Sequence, residues 1–521
     1  MTTTTDTNPT SPVTGEAPKI PLIVGTLMLA MLMSSLGQMI FSTALPTIVG
    51  ELGGVNHMSW VITAFLLGQT ISLPIFGKLG DQLGRKYLFM GVVALFMAGS
   101  LVGGLANSMA VLIFARAMQG VAGGGMMILS QSITAEVVSA RERGKYMGIM
   151  GSVFGVSSVL GPVLGGWFTD GPGWRWGLWL NVPLGLLTLI GIAIFLKLPK
   201  RPRQGTFDYL GATFMASATT CLILLVTWGG NEYAWTSPTI LGLIAGTIIL
   251  GAVFVIVELR AKNPLVPMSY FRNRNFVLTT IASLAIGVFM FGALGYLPTY
   301  LQMVHSLTPT NAGLMMIPMM VGLMGTSILT GNLVSRTGKY KRYPIAGLLI
   351  TAVGMVLLSL LDAHDSLYRV GLDFFVFGVG LGSAMQILTL IVQNSFPITQ
   401  VGTATGANNF FRQIGGSLGA ALVGGLFTSR LTSSLADSIP AALQQMGPAA
   451  APFAENFSSG SGSHRLTPGL VSQLPEVLRS AIQISYNDAL TPIFLILMPL
   501  AVLSAAVLVF VTETELKETI S

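Results

Sequence analysis

Few residues in this chain could do chemistry, and their positions set them apart. Arg116 and Arg412 each interrupt an apolar run. A guanidinium taken out of water needs a partner or a water-filled cavity, so both read as functional groups. Arg116 has Gln119 and Gly120 on the following turn and is expected to shape proton or substrate binding in a cavity. Arg412 follows Asn408 and Asn409, which suggests a second polar patch. Among the acids, Asp373 sits inside the run 370–392. It could take up and release a proton across a cycle, or it could pair with Arg369 one turn earlier. Glu136 closes another apolar run, where capping is its simplest role; it is the third proton-coupling candidate.

The remaining chemistry is sparse. His57, His305, His364 and His464 share no metal-ligand spacing. Cys221 is the one cysteine and reads as a small packing residue. No nucleophile with a base stands out, and no glycine loop with a phosphate-binding lysine. An enzyme is not expected, nor a metal, a cofactor or an ATP-driven pump. Energy would come from an ion gradient or from the substrate's own.

The elements that position these residues follow from composition. Of 521 residues, 52% are hydrophobic and 9% charged, against about 25% charged in a soluble domain. Mean hydropathy is +0.73. Such a chain cannot cover a water-exposed globule, and its long apolar runs argue against a transmembrane β-barrel. Fourteen runs of spanning length occur, from 20–45 to 489–511, which makes the chain an all-α polytopic membrane protein. An even number puts both termini on one side. Of the 27 lysines and arginines, five fall on the far side (Arg175, Arg369, Arg430, Arg465, Arg479) and two lie within helices. The other twenty mark the near side as cytoplasmic. The net charge of +7 is therefore orientation charge beside anionic lipid, and no nucleic-acid partner is expected.

The chain also repeats. Gly77-Lys-Leu-Gly-Asp81-Gln-Leu-Gly84-Arg85-Lys86 recurs in degenerate form at Gly331–Tyr340, 254 residues later. Gly161-Pro-Val-Leu-Gly165 recurs at Gly415–Gly419 with the same offset, and Gly120–Gly125 at Gly378–Ser383 with an offset of 258. Two six-helix bundles follow, 20–197 and 276–511, with two inserted helices and their linkers in 198–275. Residues 1–19 read as a disordered cytoplasmic tail, 512–521 as a second tail, and 429–488 as a long loop outside. Within that loop, 474–490 is expected to form an amphipathic helix on the membrane surface. The basic stretch 197–203 reads as a break between bundles. Related bundles with a site between them are the plan of alternating-access transporters.

Each motif has a physical reading. Asp81 can cap the following helix and attract Arg85 or Lys86, giving a charged inner gate with Gly77 and Gly84 at a tight turn. Gly151, Gly155, Gly161, Gly165 and Gly166 let the fifth helix pack closely, and Pro162 kinks it, which suits sliding between two states. Methionines in the tenth run, Met315 and Met319 among them, suit an adaptable apolar pocket.

These motifs resemble those of the major facilitator superfamily. Gly77–Lys86 resembles its loop signature, Arg116 with Gln119-Gly120 its fourth-helix motif, and Gly151–Gly166 its antiporter signature. Trp174-Arg-Trp, Asn181-Val-Pro-Leu-Gly185, Ala44-Leu-Pro46 and Tyr300-Leu-Gln302 resemble the fourteen-helix drug:proton antiporters, the EmrB/QacA-like group. The resemblance implies a major facilitator fold and proton-coupled multidrug efflux of lipophilic, often cationic compounds through a cavity. Gln38, Gln119, Met315, Met319, Asn409 and Arg412 are the cavity candidates. It also implies a monomer in a bacterial inner or plasma membrane, with protons and lipid as partners and an extracytoplasmic adaptor protein as a further one. The chain departs from the group where a first-helix aspartate is usual: Gly37 stands there, followed by Gln38. Ser335 stands in the second loop copy where the first has Asp81. These departures favour a rival reading, export of lipids or a lipophilic metabolite with little proton coupling.

Overall fold

The computed structural model describes residues 20–53, 57–198, 205–230, 232–447, 467–516 and 518. The 1–19 tail, most of the basic break (199–204) and the middle of the 429–488 segment (448–466) lie outside the described residues.

In hydrocarbon every backbone N–H and C=O must be satisfied within its own segment, so apolar runs become helices. Fourteen long helices carry the described chain. They are α1 (Ile20–Leu52), α2 (Met58–Leu83), α3 (Arg85–Gly104), α4 (Met109–Val137), α5 (Ala140–Asp170), α6 (Arg175–Phe195) and α7 (Tyr209–Trp228), followed by α8 (Pro238–Arg260), α9 (Arg274–Val304), α10 (Pro309–Thr337), α11 (Arg342–Ser359), α12 (Leu367–Asn394), α13 (Val401–Met446) and α14 (Glu476–Leu508). Thirteen are long and apolar enough to cross a membrane. The other, α13, is diluted by Thr403, Asn408, Asn409 and Arg412, which it buries against other helices. Local chemistry sets the starts: side chains of Ser108, Ser139, Asp208, Ser237, Asn273 and Ser366 accept from backbone N–H groups in the first turns of α4, α5, α7, α8, α9 and α12.

The sequence repeat is a repeat of packing. Helix α2 packs on α4, and α10 on α12. A methyl group added at Gly120 or Gly124 would meet the carbonyl of Phe65 or Gln69; at Gly378 or Gly382 it would meet that of Met319 or Leu323. The paired positions keep the 254- and 258-residue offsets, so the halves match in register. Two further crossings join them: α2 with α13, and α5 with α10. The inserted α7 and α8 pair with each other, and α7 touches both α2 and α13. Most of α8 faces outward; only Ile240 and Glu258 of it are buried.

The 429–488 segment departs from the expected loop. Helix α13 runs for 46 residues, about 69 Å, more than twice a hydrocarbon core of about 30 Å. Its far end buries Leu431, Leu435, Ile439 and Ala442 at helical spacing. Helix α14 begins at Glu476 and packs beside it, burying Leu478 and Ile482, with Ser438 and Ser485 hydroxyls 2.7 Å apart. The helix expected on the membrane surface is thus the first half of α14, standing against α13. The apolar stripe meant for lipid has a protein partner instead.

At the same end, Glu51 accepts from Trp174 Nε1 at 2.7 Å and Arg175 Nη1 at 2.5 Å, while Arg175 also donates to the Ala106 carbonyl. The bond from Arg175, then that from Trp174, holds the Glu51 carboxyl below the usual glutamate range. A lowered folded-state pKa adds stability above that range and loses it as pH falls through it. Melting temperature at pH 7 should therefore exceed that at pH 4, and Glu51→Gln should narrow the difference. A second prediction concerns packing. Gly378→Ala should cost about 1–3 kcal/mol by overpacking and lower the melting temperature, whereas Gly242→Ala, with nothing within 4 Å, should leave it unchanged.

Candidate functional site

The site is the seam between halves, and two pseudo-symmetric crossings close it at the basic end. At α2–α13, a methyl on Gly77 would lie 2.5 Å from the Gly402 carbonyl oxygen, and one on Gly406 would lie 2.7 Å from that of Leu73. At α5–α10, the mates are Gly331 against Gly144 and Gly148 against Ser327. Sequence reading singled out Gly77 but missed Gly144, Gly148, Gly402 and Gly406. Their shared offsets were the signal that could have found them.

Charge locks the first crossing. The Asp81 carboxylate accepts from the Gly402 N–H at 3.1 Å, the Thr403 N–H at 2.7 Å and the Thr403 hydroxyl at 2.8 Å. These are orphan donors of the first turn of α13, where the helix dipole also favours an anion. Asp81 therefore caps a helix of the opposite half, not α3, the helix that follows it. Arg85 completes the lock. It reaches Asp81 at 2.7 Å, Glu136 at 2.9 Å, and the carbonyls of Ser132 at 2.9 Å and Ile398 at 3.0 Å. Glu136 thus belongs to this cluster, paired with Arg85. Gly84, at φ +89°, makes the turn into α3, and Gly338 at φ +71° is its mate. Lys86 turns away and donates to the carbonyls of Ala193 and Leu196 at the end of α6.

The second crossing inverts this chemistry. Ser335 stands where Asp81 would, and Arg141 at the start of α5 donates to the carbonyls of Ser335 at 3.1 Å and Arg336 at 3.2 Å. Arg141 also pairs with Glu518. Residues 512–514 are strapped down: Glu513 accepts from the N–H groups of Tyr340 and Lys341, and Asn275 and Asn394 bond Thr512 and Thr514.

Beyond this closure lies a cavity of about 90 Å³. It is lined from both halves, by α1, α2, α4 and α5 and by α9, α12 and α13. Its walls carry five methionines (Met31, Met127, Met150, Met290, Met385), five glutamines (Gln38, Gln69, Gln131, Gln386, Gln413), and the rings of Phe154 and Phe291. Arg412 is the one charged residue lining it. A hydrogen-bond chain crosses the seam here: Arg412 donates to Asn409 Oδ1, and Asn409 Nδ2 donates to Gln131 Oε1 at 2.8 Å.

The structure sorts the sequence candidates. Gln38 and Arg412 line the cavity, and Asn409 stands behind Arg412. Gln119 does not line it; it bonds Arg116 at 3.0 Å and Ser100 at 2.8 Å inside the first half. Arg116 is not a cavity residue either. Its guanidinium lies 4.2 Å from the Phe41 ring centroid and 4.3 Å from that of Phe65, and donates to the carbonyls of Gly37 and Val61. Aromatic faces and carbonyls compensate that buried charge in place of water. Met319 packs on Gly378, and Met315 lines a groove with Pro318, Tyr368 and Phe375 at the far end. Met127, Met150, Met290 and Met385 of the cavity carried no motif. Asp373 is buried in α12 with no hydrogen-bond partner for Oδ2, while Arg369 pairs with Asp365 at 2.7 Å. In the antiporter segment, Gly151 lines the cavity against Gln386, Gly155 faces Met324 and Gly161 faces Met39. Pro162 is near Gly313, Gly165 is buried, and Gly166 has nothing within 4 Å.

Two matched helical halves around an interfacial cavity, shut at one end, have the plan of a membrane transporter. The chain belongs to the Major Facilitator Superfamily, whose family model matches residues 27–420. It is 38% identical over 497 residues to an uncharacterized MFS-type transporter of Mycobacterium tuberculosis, covering 95% of this chain and 70% of that one. It is 35% identical to multidrug transporter protein MdtP of Bacillus subtilis (92% and 91%), and 30% identical to multidrug resistance protein 3 of the same organism (97% and 98%). The human organic anion transporter MFSD10 superposes with a TM-score of 0.60 at 15% identity, over 93% of this chain and 100% of that one, which shows the shared fold. The chain is thus a multi-pass membrane transporter and not an enzyme.

Removing one partner from a buried ion pair costs about 3–5 kcal/mol. Asp81→Ala should therefore open the basic end. In a Cys221→Ser background, a cysteine at Gln69 should react with an impermeant maleimide from the basic side about tenfold faster or more. Ser335→Ala should leave the rate unchanged, because its contact there is made by the backbone carbonyl. An unchanged rate in Asp81→Ala would remove the carboxylate from the closure.

Proposed function

We propose that this protein is a multidrug-type exporter of the fourteen-helix drug:proton antiporter group, moving lipophilic small molecules by alternating access with proton influx. One observation carries the reading: a cavity of methionine, phenylalanine and glutamine sits on the seam between halves, closed at the basic end. Flexible thioethers and uncharged amides accept many shapes without demanding one charge pattern. Two relatives named as multidrug proteins, each matched over more than nine-tenths of both chains, support the same reading. The proton carrier in this scheme is Asp373, a carboxylate within a spanning helix with an unpartnered oxygen. It lies apart from the cavity, so substrate and proton occupy different places.

A second reading has its own support. No carboxylate lines the cavity, which fits export of a lipid or lipophilic metabolite without proton exchange. Proteoliposomes with an internal pH dye separate the two. Adding the neutral dye Nile red to the wild type should move protons, and Asp373→Asn should abolish that movement. Dye transport with no pH response in the wild type would favour the uncoupled exporter. No dye transport at all would overturn the efflux reading.

A further inference from the structure

The charge balance of the cavity has a consequence for its substrate. Arg412 is 4% exposed and lines a cavity whose other side chains are uncharged. Among the described residues its side chain makes one hydrogen bond, the Nη2 donation to Asn409. A guanidinium carries five N–H donors in a planar fork, so most of this fork is unspent and borders the cavity. The acids that could neutralise it are engaged elsewhere. Asp81 and Glu136 are held by Arg85 in the gate, Glu258 accepts from the N–H groups of Leu265 and Val266, and Asp373 does not line the cavity. By contrast Arg116, the other embedded arginine, is compensated by two rings and two carbonyls. An unneutralised cation in a low-dielectric site repels cations and favours an anion that supplies paired oxygens. The surrounding methionines and phenylalanines suit an apolar body.

We infer that the cavity selects amphipathic anions, with a carboxylate or comparable oxyanion on the Arg412 fork and an apolar body among Met31, Met150, Met290, Phe154 and Phe291. This rests on the cavity being the transport site, and it reverses the cationic preference that the sequence resemblance implied. The positive end of the fork is fixed from behind by Asn409, itself held by Gln131 of the opposite half. An anion drawing on that fork would therefore act at the seam that must part during the cycle.

Three probes of one shape test this: pyrenebutyrate, pyrenebutanamide and pyrenebutyl-trimethylammonium, titrated against the full chain in lipid nanodiscs. The wild type should bind the carboxylate at least tenfold tighter than the trimethylammonium. Arg412→Gln should collapse that ratio toward one, and Arg412→Lys should keep part of it. Because the ratio is taken on one sample, a lower active fraction does not change it. Competition with phosphatidylglycerol distinguishes sources: displacement of the carboxylate identifies a lipid headgroup as the anion, and its absence a free amphiphile; both support the inference. Equal or tighter binding of the cation by the wild type would overturn it, as would a preference that survives in Arg412→Gln, and the efflux reading would stand. If none of the three binds, including the amide, the cavity is not the binding site and both readings fall.

Discussion

A single carboxylate at the start of a helix organises this molecule. Asp81 leaves α2 and takes the orphan amides of the first turn of α13, in the other half of the chain. The contact is available because Gly77 faces Gly402 beside it and Gly406 lies against the Leu73 carbonyl, bringing two backbones together. Arg85 then neutralises the anion and reaches into α4 and the residues before α13. Burial makes the arrangement decisive. Each charge would be costly alone, so the network holds only when both halves are in register at the basic end.

The duplicated chain uses opposite chemistry at the matching place. The first crossing sets an acid on helix amides; the second sets an arginine on helix carbonyls. Both exploit the polar ends that every helix leaves unsatisfied. Loss of the aspartate at Ser335 is thus answered locally by Arg141, which is in turn tied to Glu518 near the chain's end. The two crossings differ in what they depend on, so the halves are alike in packing and unlike in how they are held together. The same division of labour appears in the two embedded arginines. Arg116 is enclosed between aromatic rings within the first half, whereas Arg412 lines the cavity.

Much of this was legible in the chain itself. The number and order of helices, their grouping into two related sets and the pairing of Asp81 with Arg85 all followed from hydropathy, charge placement and internal repetition. The outer helical pair was not. Leu431, Leu435, Ile439, Leu478 and Ile482 carry helical periodicity, but in a segment rich in alanine, serine and glycine that stripe fits a membrane surface as well as a neighbouring helix. Arg116 was misplaced for a related reason: an embedded charge signals the need for compensation without saying whether water, an acid or a pair of rings provides it.

By itself the sequence determined that the chain crosses a membrane as helices, because hydrocarbon leaves a backbone no other way to satisfy its polar groups. It also determined that the chain is built twice, because matched glycines keep fixed offsets. Only the tertiary structure decided which faces of α1, α4, α5, α9 and α12 look onto the seam. Met127, Met150, Met290 and Met385 became cavity walls while Met316, Met319 and Met320 of α10 became packing. In an all-apolar helix every face satisfies the bilayer, so rotation about the axis is set by the neighbours against which the glycines allow close approach.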